Sequence, residues 1–197
     1  MRFSRIEIKE LFIAWLLTSI AFAILFSGGM ELFKSLDKFF ILLLFSSFTA
    51  GIGFVLHEIM HKYLAQKYNL WAEFRAFYPM LFLAIIFSLG GFIIAAPGAV
   101  FIRGSISKEK NGKISLAGPM MNIILAFISL AFLFLLKPVG LLELFFKVNL
   151  SINSLLSLFN LLPFGSFDGK DVYEWNKAVY FICLIIAIIL FAASYII

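Results

Sequence analysis

Long apolar runs separated by short polar segments dominate the chain. A helix needs about 20 mostly apolar residues to cross a bilayer, and several runs approach that length. Breakers follow two of them, with Gly28-Gly29 after the first run and Lys137-Pro138 after the third. The pattern therefore predicts about five transmembrane helices, over residues 11–26, 39–56, 114–136, 148–167 and 178–197.

One further uncharged stretch, Ala76–Ile102, decides the topology. Pro79, Gly90-Gly91 and Pro97-Gly98 interrupt it, which suits a broken path that is buried in protein or lines a cavity. If the stretch crosses the membrane once, the arginines that flank it lie on opposite faces. If it dips in and returns, twelve of the 16 Lys and Arg residues share one face, as the positive-inside rule favours. We therefore favour the returning path.

The segment before that stretch carries a different pattern. Residues 68–78 alternate imperfectly and contain aromatics, which predicts a strand or an interfacial segment. We therefore predict an all-α polytopic membrane protein with a small membrane-associated β or re-entrant element between the second and third spans. No repeat or linker divides the sequence, so we expect one intramembrane domain over 1–197 with its core at 39–170. The first run lacks a clear cleavage site, so we expect it to remain as a span.

Composition supports the membrane assignment and excludes several other classes. Hydrophobic residues make up 63% of the 197 positions and charged residues 14%, against roughly 45–50% and 25% in a soluble domain. This excludes the soluble, disordered and collagen-like classes. The net charge of +5 is spread thinly, so we expect no nucleic-acid partner. A single cysteine excludes a disulfide framework within the chain.

The candidate metal-binding and acid–base residues lie where the second apolar run ends. His57-Glu58-Ile59-Met60-His61 matches the pattern H-E-x-x-H and contains both histidines of the chain. Residues four apart share one face of a helix, so both imidazoles can bind one zinc ion. Glu58 lies beside the first ligand and can reach a metal-bound water as general base. Ionisable side chains inside a membrane span are energetically costly and usually functional.

A catalytic zinc ion needs a third protein ligand. Asp168 closes the fourth run, and Gly169 after it permits a sharp turn. The returning path also places Asp168 on the same face as the histidines, so we choose it as the third ligand. Glu73, twelve residues beyond His61, is the main alternative.

Two asparagines in apolar surroundings leave two interpretations open. Asn160 lies eight residues before Asp168, with Pro163 interrupting the backbone between them. Its amide could bind a substrate peptide or form a hydrogen bond between helices. Asn122, one turn after Pro119, has the same two interpretations. We predict both asparagines as substrate-binding residues.

The chain resembles the site-2 protease family of intramembrane zinc metallopeptidases. The resemblance covers about residues 50–170 and rests on three elements in the family's order: the motif at His57–His61, Ala117-Gly118-Pro119-x-x-Asn122, and Asn160-Leu-Leu-Pro163-x-x-x-x-Asp168-Gly169. It implies that one Zn²⁺ per chain is held by His57, His61 and Asp168. It further implies that Glu58 activates the water, that Asn160 engages the substrate, and that the β element can accept a substrate strand.

The sequence departs from the family pattern in three places. Lys170 stands where a second glycine often follows, and Ser166 stands where many members have a proline. The stretch from Pro79 to Pro97 is also longer than a simple hairpin needs. None of these changes removes a ligand or the base, so they bear on substrate choice and entry rather than on activity.

These observations predict a zinc metalloendopeptidase that cleaves peptide bonds in or near the transmembrane segments of other membrane proteins. Its expected partners are such substrates and the lipid bilayer, in the cell membrane with a multi-pass topology and the active site toward the cytoplasm. The oligomeric state is not determined by the sequence. A zinc transporter with a similar motif is the leading alternative. An inactive scaffold with structural zinc and a metallopeptidase that uses Glu73 are the others.

Overall fold

The computed structural model describes residues 1–30, 36–93 and 97–197. Glu31 and Lys34, in the first polar segment, and residues 94–96 of the returning stretch lie outside the described residues. The described chain is 77% helical, with one small antiparallel sheet of two strands. Its elements are α1 (Arg5–Phe26), α2 (Leu36–Ser46), a π-helical turn (Ser47–Gly51), α3 (Ile52–Lys67), β1 (Trp71–Ala76), α4 (Tyr78–Leu89), β2 (Gly98–Arg103), α5 (Lys108–Leu136), α6 (Leu141–Asn160), α7 (Asp168–Trp175) and α8 (Lys177–Ile196).

Five helical segments are long and apolar enough to cross a membrane, which confirms the predicted fold class. The second of them is continuous over Leu36–Lys67 and combines α2, the π-helical turn and α3. The fourth is not where the sequence placed it, since it covers Leu141–Asn160 instead of 148–167. Glu143 and Lys147, which precede the predicted span, form an ion pair four residues apart on the helix, while Pro163 prevents its extension.

The returning stretch contains a helix too short to cross. The 12 residues of α4 rise about 18 Å, against about 30 Å for the hydrocarbon core. Phe77 N–H donates to the Pro97 carbonyl at 3.0 Å, so the chain returns to the point where β1 ends. The small β element predicted between the second and third spans is therefore confirmed, and its course agrees with the favoured path.

The described chain divides into two compact units, residues 1–55 with 73–101 and residues 56–72 with 102–197. The first unit packs around Leu11, Phe54 and Phe74. Two glutamates of α1 complete the hydrogen bonds of β1 in this unit, because Glu7 accepts from Phe74 N–H and Glu10 from Ala76 N–H, both at 2.9 Å. The prediction of a single domain remains a prediction.

The second unit contains the predicted metal-binding, catalytic and substrate-binding residues. Its core joins α5, α6 and α8 and consists of Ile123, Ala126, Leu133, Leu150, Leu161, Cys183, Ala187 and Leu190. On α5 a row of small or polar residues lies at helical spacing and is buried: Gly112, Ser115, Gly118, Asn122, Ala126 and Ser129. Small side chains let neighbouring groups approach the helix closely. This face of α5 carries the site described next.

Candidate metal centre

His57 and His61 lie one turn apart on α3 and are both buried, with 4% and 7% of their surfaces exposed. Their Nε2 atoms are 2.9 Å apart, and Asp168 Oδ2 is 3.2 Å from each of them. Ligand atoms at one tetrahedral zinc ion, about 2.0–2.1 Å from the metal, lie roughly 3.3 Å apart. The three side chains thus form a group that could hold a metal ion.

The second nitrogen of each imidazole has an acceptor of its own. His61 Nδ1 lies 2.8 Å from the carbonyl oxygen of Ile114, and His57 Nδ1 lies 2.7 Å from Asn122 Oδ1. Both Nδ1 atoms therefore carry the proton, and both Nε2 atoms present lone pairs. Ligating histidines in proteins are typically oriented in this way.

Three electron-rich atoms then face one another without a donor between them. Two imidazole nitrogens and a carboxylate oxygen within 3.2 Å require positive charge among them, from a metal ion or from added protons. Burial raises the pKa of the Asp168 carboxyl, but when such added protons are present, the positive charge on His61 and the hydrogen bonds from both imidazoles lower it to about 2. Asp168 is therefore a carboxylate at neutral pH, which is the form that binds a cation. The donor set fits zinc.

Gly118 makes room for both ligands. A methyl group at this position would come within 3.0 Å of Nε2 of His57 and of His61. The next residue, Pro119, lies inside α5 and cannot donate a hydrogen bond to the preceding turn. The Ala-Gly-Pro sequence thus brings the backbone of α5 against the histidines.

Asp168 reaches the site because α7 is fixed to α5. Ser115 Oγ donates to Asp171 Oδ2 at 3.0 Å, and Trp175 fills the space beside Gly112. Asp168 is the first residue of α7 and its side chain is 19% exposed. The two histidines are therefore buried, while the Asp168 carboxylate is partly exposed.

Gly169 has a different role from the sharp turn expected of it. It is a helical residue of α7, and a Cβ there would collide with the backbone of Leu161. The positive φ in this region belongs to Gly165, at 64°. Gly169 therefore allows close contact between α7 and the end of α6, and Gly165 makes the turn.

The remaining predicted residues occupy defined places. Glu58 is buried at 7% exposure beside His57 on α3. Glu73, the alternative ligand, pairs instead with Arg75 at 3.0 Å and accepts a hydrogen bond from Ser4. Asn160 ends α6, half-buried, with its Nδ2 donating to the Leu156 carbonyl. Asn122 is fully buried, and its amide oxygen lies 2.7 Å from Nδ1 of His57.

Sequence reasoning missed three contributors to this site. Gly118 was noted only as part of a motif, although its lack of a side chain is what admits the histidines. Asn153, bonded to Asn122 at 2.9 Å, had a detectable signal as an amide within an apolar run. The Ile114 carbonyl had none, because a backbone group leaves no trace in the side-chain pattern.

Comparisons with known proteins agree with this geometry. The protein named "Putative zinc metalloprotease MJ0611" of Methanocaldococcus jannaschii is 41% identical over 182 residues, which cover 91% of this chain and 89% of that protein. The chain belongs to this zinc metalloprotease family. A second member, "Putative zinc metalloprotease YwhC" of Bacillus subtilis, is 31% identical over 144 residues, or 64% of this chain and 66% of that protein.

No protein-family model and no solved structure matches the chain. The names of the relatives and the His–His–Asp group together support the zinc cofactor predicted from the sequence. The apolar helices support a membrane protein. The names of the relatives and the His–His–Asp group do not favour the transporter alternative.

Proposed function

We propose that this family member is an intramembrane zinc metalloendopeptidase of the site-2 protease type. The observation that carries the proposal is the convergence of His57, His61 and Asp168, with Glu58 in the same buried turn. Zinc bound there would lower the pKa of a water molecule toward 7 and polarise the carbonyl of a peptide bond. His57, His61 and Asp168 would hold the ion.

Glu58 supplies the acid–base chemistry in this proposal. Its carboxylate takes a proton from the attacking water and delivers that proton to the leaving amine when the peptide bond breaks. Its position next to His57 on α3 fixes its distance from the site. Asn160, at the end of α6, is proposed to hold the backbone of the substrate in an extended form.

The location of the site favours membrane-embedded substrates. The histidines lie in the final third of the 32-residue helical segment Leu36–Lys67, so they are near one end of a span. Water can reach such a position, whereas a transmembrane helix keeps its carbonyls hydrogen-bonded in apolar surroundings. We therefore propose substrates whose transmembrane segments unwind locally before cleavage.

The zinc transporter remains the second candidate only on the strength of its motif. A transport path needs metal-binding groups on several spans. Over residues 1–30, 36–93 and 97–197, the group of His57, His61 and Asp168 is the only set of three such side chains placed to hold a metal. The donor geometry therefore favours a single site over a path.

The decisive experiment uses the purified protein and a membrane-anchored test substrate. We expect Glu58→Gln to lower the cleavage rate at least 100-fold while zinc is retained, since general acid–base groups contribute about 10²–10⁴ in rate. Glu143→Gln, which changes a carboxylate paired with Lys147, is the matched control and should cleave normally. Equal cleavage by the Glu58→Gln variant would overturn the proposed mechanism. Zinc flux into vesicles without cleavage would favour the transporter.

The orientation is proposed from charge. Under the returning path, twelve of the 16 Lys and Arg residues fall on the face that carries the site, and the positive-inside rule favours the cytoplasm for that face. Lys110 and Lys137 lie near opposite ends of α5. In intact cells a membrane-impermeant thiol reagent should label Lys137→Cys and not Lys110→Cys. The reverse labelling would contradict the orientation.

A further inference from the structure

A chain of buried polar side chains leads away from the metal centre between α5 and α6. Asn122, Asn153 and Ser129 are fully buried, and half-buried Asn149 lies between the last two. The amide Nδ2 of Asn122 donates to Asn153 Oδ1 at 2.9 Å, and Asn149 Nδ2 donates to Ser129 Oγ at 2.6 Å. Buried amides are costly unless they are hydrogen-bonded, so such a chain at the centre of a span needs a reason.

The direction of this chain is fixed by a backbone group. Asn153 Nδ2 lies 3.1 Å from the carbonyl oxygen of Asn149, and a carbonyl can only accept. The amide nitrogen of Asn153 must therefore point to Asn149, and its oxygen must point to Asn122. Asn122 in turn directs its nitrogen to Asn153 and its oxygen to His57.

The orientation of Asn122 decides which nitrogen of His57 carries the proton. With Oδ1 2.7 Å from Nδ1, the proton is on Nδ1 and Nε2 is free to bind a metal ion. If the Asn122 amide were reversed, its NH₂ would face Nδ1 and the proton would move to Nε2. His57 could not then act as a ligand through Nε2.

The two histidines differ in the kind of group that fixes their tautomer. His61 Nδ1 faces the backbone carbonyl of Ile114, which cannot reverse its polarity. His57 faces the side-chain amide of Asn122, which can rotate and exchange its oxygen for its nitrogen. The site therefore needs a further group to hold the amide of Asn122 in one orientation.

We propose that Asn153 is a positioning residue for the metal centre, acting on His57 through Asn122. This inference rests on the metal site of the proposed function, but not on peptide hydrolysis. Asn153 and Asn160 lie seven residues apart on α6. The helix that carries the proposed substrate residue therefore also contacts the metal site, through Asn122. The tautomer of a zinc ligand on α3 is thereby set from α6.

The test compares metal binding by three variants in detergent solution. Asn153→Leu removes the amide at similar volume. Asn153→Asp keeps an acceptor for Asn122 and, as the neutral acid that burial favours, keeps a donor toward Asn149. Ser154→Ala is the matched control, because Ser154 is fully buried on the same helix and its hydroxyl donates to the carbonyls of Leu150 and Ser151. Zinc affinity is measured by competition with a chelator, and the visible spectrum of the Co²⁺-loaded protein reports ligand geometry.

We expect Asn153→Leu to weaken zinc binding about 10-fold or more, as changes to the partners of ligand histidines do, and to alter the Co²⁺ spectrum. Asn153→Asp should stay within about threefold of the wild type, as Ser154→Ala should. If the leucine variant does not fold, Asn153→Ala takes its place. Wild-type affinity and an unchanged Co²⁺ spectrum in the apolar variant would overturn the proposal.

A double variant separates positioning from a general structural effect. Because Asn153 acts through Asn122, Asn122→Ala with Asn153→Leu should bind zinc no more weakly than Asn122→Ala alone. Additive losses would show that Asn153 acts by another route and would overturn the proposal. Failure of the wild type to cleave peptides, with these affinities as expected, would refute the protease and leave the role of Asn153 intact.

Discussion

Gly118 offers the sharpest test of how the fold makes room for the metal. Replacing it with alanine adds one methyl group to α5, directly against the two histidines. In an isolated helix the same change is favourable by about 1 kcal/mol, because glycine is a poor helix former. The local and tertiary effects of Gly118→Ala therefore have opposite signs.

The size of the tertiary effect follows from distances. The new Cβ would be less than 3.0 Å from both Nε2 atoms, whereas ordinary contact begins at 3.4 Å. The ligand atoms must therefore move by more than 0.4 Å. Zinc–ligand distances vary by only about 0.2 Å around their normal values, so both ligands cannot keep their positions. Overpacking of this kind costs about 1–3 kcal/mol, which a folded membrane domain can tolerate.

We expect Gly118→Ala to fold and to bind zinc about 10–100-fold more weakly than the wild type, which is the loss that follows when the groups that orient ligand histidines are changed. Chelator competition gives the affinity, and circular dichroism gives the helical content and thermal midpoint. Ala126→Ser is the matched control. It adds one atom to the same buried face of α5 about two turns further on, away from the histidines.

The packing argument would be refuted by a folded Gly118→Ala protein that binds zinc within threefold of the wild type. Equal losses in Gly118→Ala and Ala126→Ser would point to a general sensitivity of α5 rather than to a clash with the ligands. The comparison therefore tests where the added atom lies on α5 and not only that an atom was added.

Three further predictions concern the ligands and the elements that hold them. Asp168→Ala should lose bound zinc by metal analysis while Glu73→Ala retains it, and the opposite result would make Glu73 the third ligand. Ser115→Ala, which removes the hydrogen bond from α5 to Asp171 of α7, should weaken zinc binding by less than 10-fold in chelator competition, because the contact of Trp175 with α5 remains. Glu7→Ala leaves the buried N–H of Phe74 without its acceptor and should lower the free energy of unfolding by about 1–3 kcal/mol, measured by denaturant titration in detergent. An unchanged midpoint would show that water replaces the carboxylate.

Local patterns were enough for the helices and for the metal-binding turn. Apolar length predicts a span because an unsatisfied backbone is too costly in lipid, and four-residue spacing puts His57 and His61 on one face of α3. The predicted bounds of α6 were wrong because apolar length excludes charged residues, although Glu143 and Lys147, four residues apart, pair within the helix.

The contacts between distant segments could not be obtained in this way. The sequence left Asp168 and Glu73 as alternative third ligands, and only the packing of α7 on α5 places one of them at the histidines. Gly169 looked like a turn residue, yet its role depends on the backbone of Leu161 from another segment. Such roles depend on two segments that are distant in sequence, so the pattern along one segment does not predict them.

The sequence by itself determined a helical membrane protein, the two histidines and the glutamate of one turn, and a short set of possible third ligands. These follow from residue type and spacing along one segment, where local geometry is nearly fixed. Only the tertiary structure decided which carboxylate joins the histidines, which groups fix their tautomers, and why Gly118 must be small. Each of these depends on distances between segments, such as the 2.7 Å from Asn122 to His57, and those distances are set by the packing of whole helices.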